Sequence, residues 1–493
     1  MSRNLPPARR VNWLTWSIAI GLLLVACFLR VYAIDEIPPG LTHDEVSQLD
    51  VAAQVHAGDW RLLYPGGFAL DGAEPGYYPF LSAAQSIWGA NPLARRLPSL
   101  FAGLIGLACL YALAARLFNR TVGLLTLGAA TVVWWSILMG RVILREVLEA
   151  PLYALALYGF WRGFESARQP DPARAPLRPF ILAGVALGAL QYVHTIPRGL
   201  FLVFVLFGLY LWVFHRPLFK RTWRGILALV VVAELLAAPV VISASLNPDL
   251  DNEETLFSLR LDGEDGVIQR LQANTPWILG QFAFTGDAGW EFNLPGRPIF
   301  QPPLAVFFGL GVLVALLRFR RPVMAYVLIV LLVSLLPSIL LKPWFPFGRL
   351  VSAQTVAFAF VGLGIQSVRS GLARFVPQRA QVVRAGDPVA VVTYWRVIGP
   401  APDNLMLFSH LYRSPTDIMA QQDQFDVGGS DLQPGDIFAQ VHEFIHVPPD
   451  TPAGAYWIGT GMYDRESGER LPIYVGEQRA ADRIWLTQLQ VER

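Results

Sequence analysis

Asp44 and Glu45 stand side by side in Pro38-Pro39-Gly40-Leu41-Thr42-His43-Asp44-Glu45, directly after a long apolar run. An ionisable pair beside a bilayer is costly to place without a use. One carboxylate there can accept a proton from an attacking hydroxyl. The same residues also fit a helix start, because Thr42 and Asp44 precede Glu45-Val46-Ser47-Gln48 and such side chains favour the N-cap. Proton transfer and capping stand level on local chemistry, and both can hold together.

Other charged stretches invite similar readings. Ala94-Arg95-Arg96-Leu97-Pro98-Ser99 opens an apolar segment. A guanidinium suits a phosphate because its planar fork binds two oxygens and stays charged. It equally suits an interface anchor that reaches for headgroups. In Arg141-Val142-Ile143-Leu144-Arg145-Glu146, Glu146 and Glu149 lie at helical spacing beside Arg141 and Arg145. They can form an ion network or cap the next segment. Glu234 is a lone acid within an apolar run, for which pairing with a polar neighbour is the default. Gly286-Asp287-Ala288-Gly289-Trp290-Glu291-Phe292-Asn293-Leu294-Pro295-Gly296 and Lys342-Pro343-Trp344-Phe345-Pro346-Phe347-Gly348-Arg349 mix aromatics with charge. That mixture suits a sugar face and a phosphate, or an aromatic belt at the membrane surface. His442-Glu443-Phe444-Ile445-His446 fits His-Glu-x-x-His, a zinc pattern that requires a helix. Here it alternates with period two and ends at Pro448-Pro449. On a strand its histidines stand about 13 Å apart, so the match is a coincidence.

The elements that must position these residues follow from composition. The 493 residues are 54% hydrophobic and 15% charged, with a mean hydropathy of +0.42, which marks a membrane protein. A net charge of +2 gives no global field for nucleic acid. Cys27 and Cys109 both lie in apolar runs and offer neither a disulfide framework nor metal spacing. A span needs roughly 20 apolar residues. About ten such segments lie near residues 12–33, 96–115, 121–139, 146–162, 179–195, 199–215, 225–245, 302–317, 322–341 and 350–368. The first is too long for a signal core and lacks a cleavage site, so it reads as a retained span.

With a cytoplasmic N-terminus, the inner loops hold Arg116 and Arg120, then Arg162 to Arg178, then Arg216 to Arg224, then Arg318 to Arg321. This is a positive-inside pattern. Asp249, Asp251, Glu253, Glu254, Asp262, Glu264, Asp265, Asp287 and Glu291 fall outside, as does the Asp44-Glu45 pair. Two outer segments, about 34–95 and 247–301, are long enough to suggest function. Within the first, Glu45 to Ala57 reads as an amphipathic helix, and Tyr77 to Trp88 as an interfacial one. After residue 370 the pattern changes to short alternating runs between turn clusters: Pro388–Val397, Asn404–Tyr412, Asp436–Val447, Ala455–Tyr463 and Arg483–Val491. The expected architecture is therefore a polytopic α-helical membrane domain, residues 1–370, followed by a soluble β-sandwich, residues 371–493.

In their order, these pieces resemble the C-type membrane glycosyltransferases. The resemblance is to the branch of protein O-mannosyltransferases and lipid A aminoarabinose transferases, and it covers about residues 12–368. It is carried by Phe28-Leu29-Arg30, His43-Asp44-Glu45, Glu74-Pro75-Gly76-Tyr77-Tyr78-Pro79, Arg96-Leu97-Pro98-Ser99 with Gly103, and Arg141 with Glu146. Gly286-Asp287, Asn293-Leu294-Pro295-Gly296, Leu335-Leu336-Pro337-Ser338 and Arg349 complete it. The family's Pro-Pro-Leu stretch reads Glu74-Pro75-Gly76 here.

The resemblance implies transfer of a sugar from a polyprenyl-phosphate donor to a hydroxyl of a protein, lipid or glycan acceptor. The site would lie on the outer face of the plasma (inner) membrane. It implies Asp44 as base, with Glu45 and Glu146 as further catalytic acids. Arg96, Arg349 and Arg141 would hold the donor phosphate, and His43, Glu74, Tyr77 and Asp287 would line the substrate site. No metal ligand set is expected, although the acidic loop would accommodate a divalent cation. A multi-span transporter or lipid-linked-sugar flippase is the rival. Transporters place polar residues near the midplane, whereas here Glu234 is the one clear mid-span charge and the others cluster at outer ends.

Overall fold

The computed structural model describes residues 13–65, 72–168, 176–247, 267–287, 289, 292–340, 346–372, 381–399, 401–425, 429–433, 435–475 and 478–492. The acidic residues 249–265, Trp290, Glu291 and the stretch Lys342 to Phe345 lie outside them. Two compact units divide the chain, Met1–Ala373 and Arg374–Arg493.

The first unit is helical. Helix α1 (Trp13–Val31) leads through a loop to α2 (His43–His56) and α3 (Tyr78–Trp88). There follow α4 (Pro92–Leu117), α5 (Arg120–Val132), α6 (Trp134–Met139), α7 (Glu149–Ala167) and α8 (Arg178–Leu190). Next come α9 (Leu202–Phe214), α10 (Arg216–Leu246), α11 (Val267–Gly280), α12 (Leu304–Leu317) and α13 (Pro322–Leu340). The short α14 (Pro346–Arg349) and then α15 (Gln354–Leu372) close the unit. Helix starts follow local chemistry. Asn91 accepts from the Ala94 N–H at 2.9 Å and Asn119 from the Val122 N–H at 3.0 Å, which satisfies donors that a helix start leaves open.

Each of the ten expected apolar segments contains helix. Six helical stretches are long and apolar enough to cross a membrane by length and composition: 13–31, 92–117, 196–214, 216–246, 322–340 and 351–372. The protein is thus a polytopic α-helical membrane protein. Three of the expected segments correspond to shorter helices, α5, α8 and α12. The expected 121–139 segment is interrupted because Val133 adopts an extended conformation (φ −75°, ψ 127°) between α5 and α6.

Helices pack through small residues and aromatic rings, as they must where lipid is as apolar as the side chains. Gly184 lets α8 lie against α10, where a Cβ would stand 2.6 Å from the Leu229 carbonyl oxygen. Phe160 and Trp161 of α7 stack with Phe204 and Phe207 of α9 and with Tyr326 of α13, the Phe160–Phe204 centroids being 5.0 Å apart. On α3, Tyr78, Leu81, Ser82 and Ala84 are buried while Phe80, Ile87 and Trp88 are exposed. That is the division expected of an interfacial helix.

The second unit is a β-sheet domain. Its strands are β1 (Gln381–Arg384), β2 (Pro388–Arg396), β3 (Leu405–Ser414), β4 (Asp417–Asp423), β5 (Ile437–His446), β6 (Gly454–Asp464), β7 (Ile473–Val475), β8 (Gln478–Ala481) and β9 (Ile484–Glu492). A five-stranded sheet runs β1-β9-β6-β3-β4, and β2-β5 and β7-β8 form two-stranded ribbons. Val389, Val391 and Ile445 of the β2-β5 ribbon share one core with Leu411, Tyr456, Ile458, Leu489 and Val491. His442 lies on strand β5, buried, with Nδ1 2.9 Å from the Ser409 Oγ.

Candidate active site

The loop before α2 is held from two sides. Arg96, buried on α4, donates to the carbonyls of Ile34, Ile37, Pro38 and Gly40, the last two at 3.0 and 3.2 Å. Arg141, buried after α6, donates to Leu29, Ala33 and Ile37 at 2.8, 3.0 and 2.7 Å. The expectation that both arginines hold a donor phosphate meets a different geometry. Their guanidinium hydrogens point at backbone oxygens that would otherwise lack partners.

This clamped loop delivers Thr42 to the start of α2. The Thr42 hydroxyl accepts from the Glu45 N–H (3.1 Å), and Glu45 Oε2 accepts from the Thr42 N–H (3.0 Å), a reciprocal capping box. Glu45 Oε1 accepts from the Ile143 N–H at 2.9 Å, 98 residues away. Glu45 is fully buried, so both of its oxygens serve structure. Asp44, next to it, is half-buried, and His43 is exposed. Of the two readings of this motif, capping belongs to Glu45, and Asp44 is the acid with access.

A buried ion cluster stands within reach of the Asp44 charge. Glu74 has no exposed surface. Its Oε2 accepts from Arg145 at 2.8 Å, and its Oε1 from the Thr195 hydroxyl at 2.6 Å and from Arg198 at 3.2 Å. Expected as a substrate contact, Glu74 is engaged in this structure by that buried network. Tyr77 is likewise sealed, its hydroxyl 2.8 Å from the Ser99 Oγ.

Glu146 sits in the 3-10 turn Arg145–Leu148 ahead of α7. Its ion-pair contacts among the described residues are long, 3.9 Å to Arg145 Nε and 3.8 Å to His194 Nε2, and its Oε2 is buried with no hydrogen-bond partner among them. Burial pushes its carboxyl up to about 7, helped by the negative charges of Asp44 and Glu74 and opposed by Arg145. His194 Nδ1 lies 3.0 Å from Glu149 Oε1, and Glu149 Oε2 accepts from the Ser352 hydroxyl at 2.7 Å. Ser352 follows Arg349 by three residues, and the Arg349 charge reaches His194. One cluster therefore joins Asp44, Glu146, Glu74 and Arg349 of the expected set.

Asp287 stands in a separate turn. Its Oδ1 accepts from the Gly289 N–H at 3.0 Å and its carbonyl from the Gly296 N–H at 2.7 Å, while Oδ2 is buried with no hydrogen-bond partner among the described residues. No group of three or more metal-binding side chains occurs among the described residues. Reading the sequence missed His194, Thr195 and Arg198. Their signal was present: three polar residues in His194-Thr195-Ile196-Pro197-Arg198 between two apolar runs.

Comparison with known proteins gives the same direction. No curated protein matches the chain. The structure is similar to the archaeal oligosaccharyltransferase AglB from Archaeoglobus fulgidus in complex with an inhibitory peptide and a dolichol-phosphate, at 14% identity and TM-score 0.50, covering 75% of this chain and 53% of that one. The A. fulgidus oligosaccharyltransferase in complex with Zn and sulfate gives a TM-score of 0.52 at 14% identity, over 73% and 50%. ArnT from Cupriavidus metallidurans bound to undecaprenyl phosphate gives 0.50 at 16% identity, over 75% and 63%. The chain thus spans between half and 63% of the length of these proteins. Residues 74–243 match the family described as dolichyl-phosphate-mannose-protein mannosyltransferase. The chain therefore shares its fold with the oligosaccharyltransferase and ArnT, and in residues 74–243 it carries the sequence pattern of that mannosyltransferase family.

Proposed function

We propose that this protein is an integral membrane glycosyltransferase that moves a sugar from a polyprenyl-phosphate donor to a hydroxyl of a protein, lipid or glycan acceptor. The observation that carries the reading is the gathering of Asp44, Glu146, His194 and the Arg349 segment in one buried cluster at the ends of helices, rather than at mid-span. Asp44 is the accessible acid of the set and takes the proton of the acceptor hydroxyl. Glu146 supports it. Arg349 receives the donor phosphate and offsets the charge that grows on it as the sugar departs. The bilayer holds the lipid tail, so acceptor and anomeric carbon meet in line.

In this reading Arg96 and Arg141 act by fixing the loop that aims Asp44, and Glu45 by anchoring α2. Glu74 and Tyr77 shape the wall, His43 is exposed beside Asp44 for an acceptor or sugar to meet, and Asp287 is kept as a substrate contact from its own turn. The basic inner loops support ten spans with the site on the outer face. The shared core of the β2-β5 ribbon and the five-stranded sheet supports a sandwich for residues 374–493.

Mass spectrometry of glycans and lipids, from cells with the gene, without it, and with Asp44→Asn, tests the function. A glycan that needs the gene and is lost with Asp44→Asn is the expected result; identical profiles in all three would remove it. Labelling of Trp60→Cys by a membrane-impermeant maleimide tests the orientation, since Trp60 is exposed on the loop after α2. Labelling only after the inner face is opened would reverse it.

A further inference from the structure

The buried histidine at the centre of the cluster has no assigned part, and its surroundings narrow what it can do. His194 lies in the turn between α8 and α9, sealed among charged groups from several elements. Glu146 and Arg145 face it from the 3-10 turn, Glu149 from α7, Arg198 from the turn before α9, and Arg349 from α14. Glu74 pairs with Arg145 and Arg198, and the Asp44 charge reaches Glu146. Nδ1 lies 3.0 Å from Glu149 Oε1, so one hydrogen joins the ring to Glu149. Glu149 is itself fixed by the Ser352 hydroxyl at 2.7 Å. The neutral ring then turns Nε2 towards Glu146 Oε1, 3.8 Å away. Burial and the three neighbouring guanidinium groups hold the imidazole well below its ordinary titration range.

We propose that His194 is a positioning residue for the transfer reaction, a neutral imidazole tethered by Glu149 and Ser352 whose Nε2 orients Glu146 near Asp44. The inference rests on the glycosyltransferase reading above. It gives a reason for Glu149 and Ser352 to meet. Ser352 follows the Arg349 turn, so the tether joins the segment proposed to hold the donor phosphate to the acids proposed to serve the acceptor.

The test uses the full chain in membranes of the source cells, which supply the lipid-linked sugar, with product read by mass spectrometry from about pH 5.5 to 8.5. Undecaprenyl phosphate affinity of the purified chain is the second readout. His194→Asn keeps an amide nitrogen near the Nδ1 position for Glu149 and removes the group facing Glu146, so it separates positioning from folding. His194→Ala removes both. Misplacement by about an ångström can cost about a hundredfold. His194→Asn is therefore expected to slow transfer by about tenfold to a hundredfold, to shift the pH–rate profile, and to leave undecaprenyl phosphate affinity within about twofold. In a Glu146→Gln background the same change is expected to add less than about twofold, because the two residues act as a unit.

Wild-type rate and pH profile in His194→Asn would overturn the proposal, as would losses that multiply with Glu146→Gln. A variant that unfolds, or that loses undecaprenyl phosphate in proportion to its rate, would also overturn it, because His194 would then serve general structure. If the wild-type chain neither transfers sugar nor binds undecaprenyl phosphate, the glycosyltransferase reading fails, and this inference falls with it.

Discussion

Arg96→Lys separates two roles that a guanidinium at this position could have. A phosphate ligand needs positive charge, which lysine keeps. A clamp on the Ile34, Ile37, Pro38 and Gly40 carbonyls needs several donors in a planar fork, which lysine lacks. A hydrogen bond from a charged donor is worth about 1.5–3 kcal/mol, and loop carbonyls that regain water recover part of that. At a discounted value of about 1 kcal/mol per bond, Arg96→Ala costs the closed loop about 4 kcal/mol. Arg96→Lys, keeping one bond, costs about 3 kcal/mol. That raises the open population by about two orders of magnitude. Arg141 still grips the loop, so the loss is local. The assay is hydrogen exchange of the segment from Leu29 to Thr42, where the Ile34, Glu36 and Ile37 amides are bonded within the loop. Both variants should exchange faster there, Arg96→Lys by about two orders of magnitude and Arg96→Ala by about fivefold more, with undecaprenyl phosphate affinity nearly unchanged. Wild-type exchange in Arg96→Lys, or a defect in Arg96→Ala confined to undecaprenyl phosphate binding, would refute the clamp and return Arg96 to the donor phosphate.

Other perturbations probe the rest of the site. Asp44→Asn should abolish transfer while the chain unfolds at the wild-type temperature in detergent; retained transfer would remove Asp44 as the base. Glu74→Ala leaves Arg145 and Arg198 buried without this carboxylate, which should lower stability by about 3–5 kcal/mol, read by thermal unfolding. An unchanged midpoint would mean that water replaces the pair. Glu146 is expected to make stability pH-dependent. Its folded carboxyl is raised from 4.5 to about 7, so between these values the unfolded chain releases a proton that the folded chain retains. Wild-type stability therefore falls as pH rises through this window, and Glu146→Gln should gain on it until about pH 7. A constant gap between the two would show that Glu146 is solvated.

Much of the architecture was legible because membrane spans and strand–turn alternation are written in local composition. Strands β2, β3, β5, β6 and β9 fall within two residues of the alternating runs, since clusters such as Pro448-Pro449-Asp450 leave few other boundaries. Strands β1, β4, β7 and β8 were not anticipated, being short or polar. The capping reading of Thr42 and Glu45 was equally local, and the structure bears it out. What escaped was pairing across distance. Sequence shows that Arg96 and Arg141 are charged near the boundaries of apolar segments. It does not show that backbone carbonyls dozens of residues away are their partners. For the same reason Glu74 read as a ligand rather than as the counter-ion of Arg145 and Arg198. His194 was absorbed into the end of an apolar segment, where one polar residue looks like an ordinary boundary.

The bond between Glu45 and Ile143 has a consequence for how the protein is made. During synthesis, α2 emerges long before residue 143 exists, so its first turn begins with only the cap that Thr42 provides. The second oxygen of Glu45 finds its partner once the chain has passed α6. Arg141 reaches the preceding loop at the same moment. The loop before α2 therefore remains provisional through the insertion of α4 and α5 and is completed by the connection that carries Glu146. A ribosome stalled before that point would hold a chain with Asp44 already in place but not yet aimed, so an incomplete product would lack an assembled site.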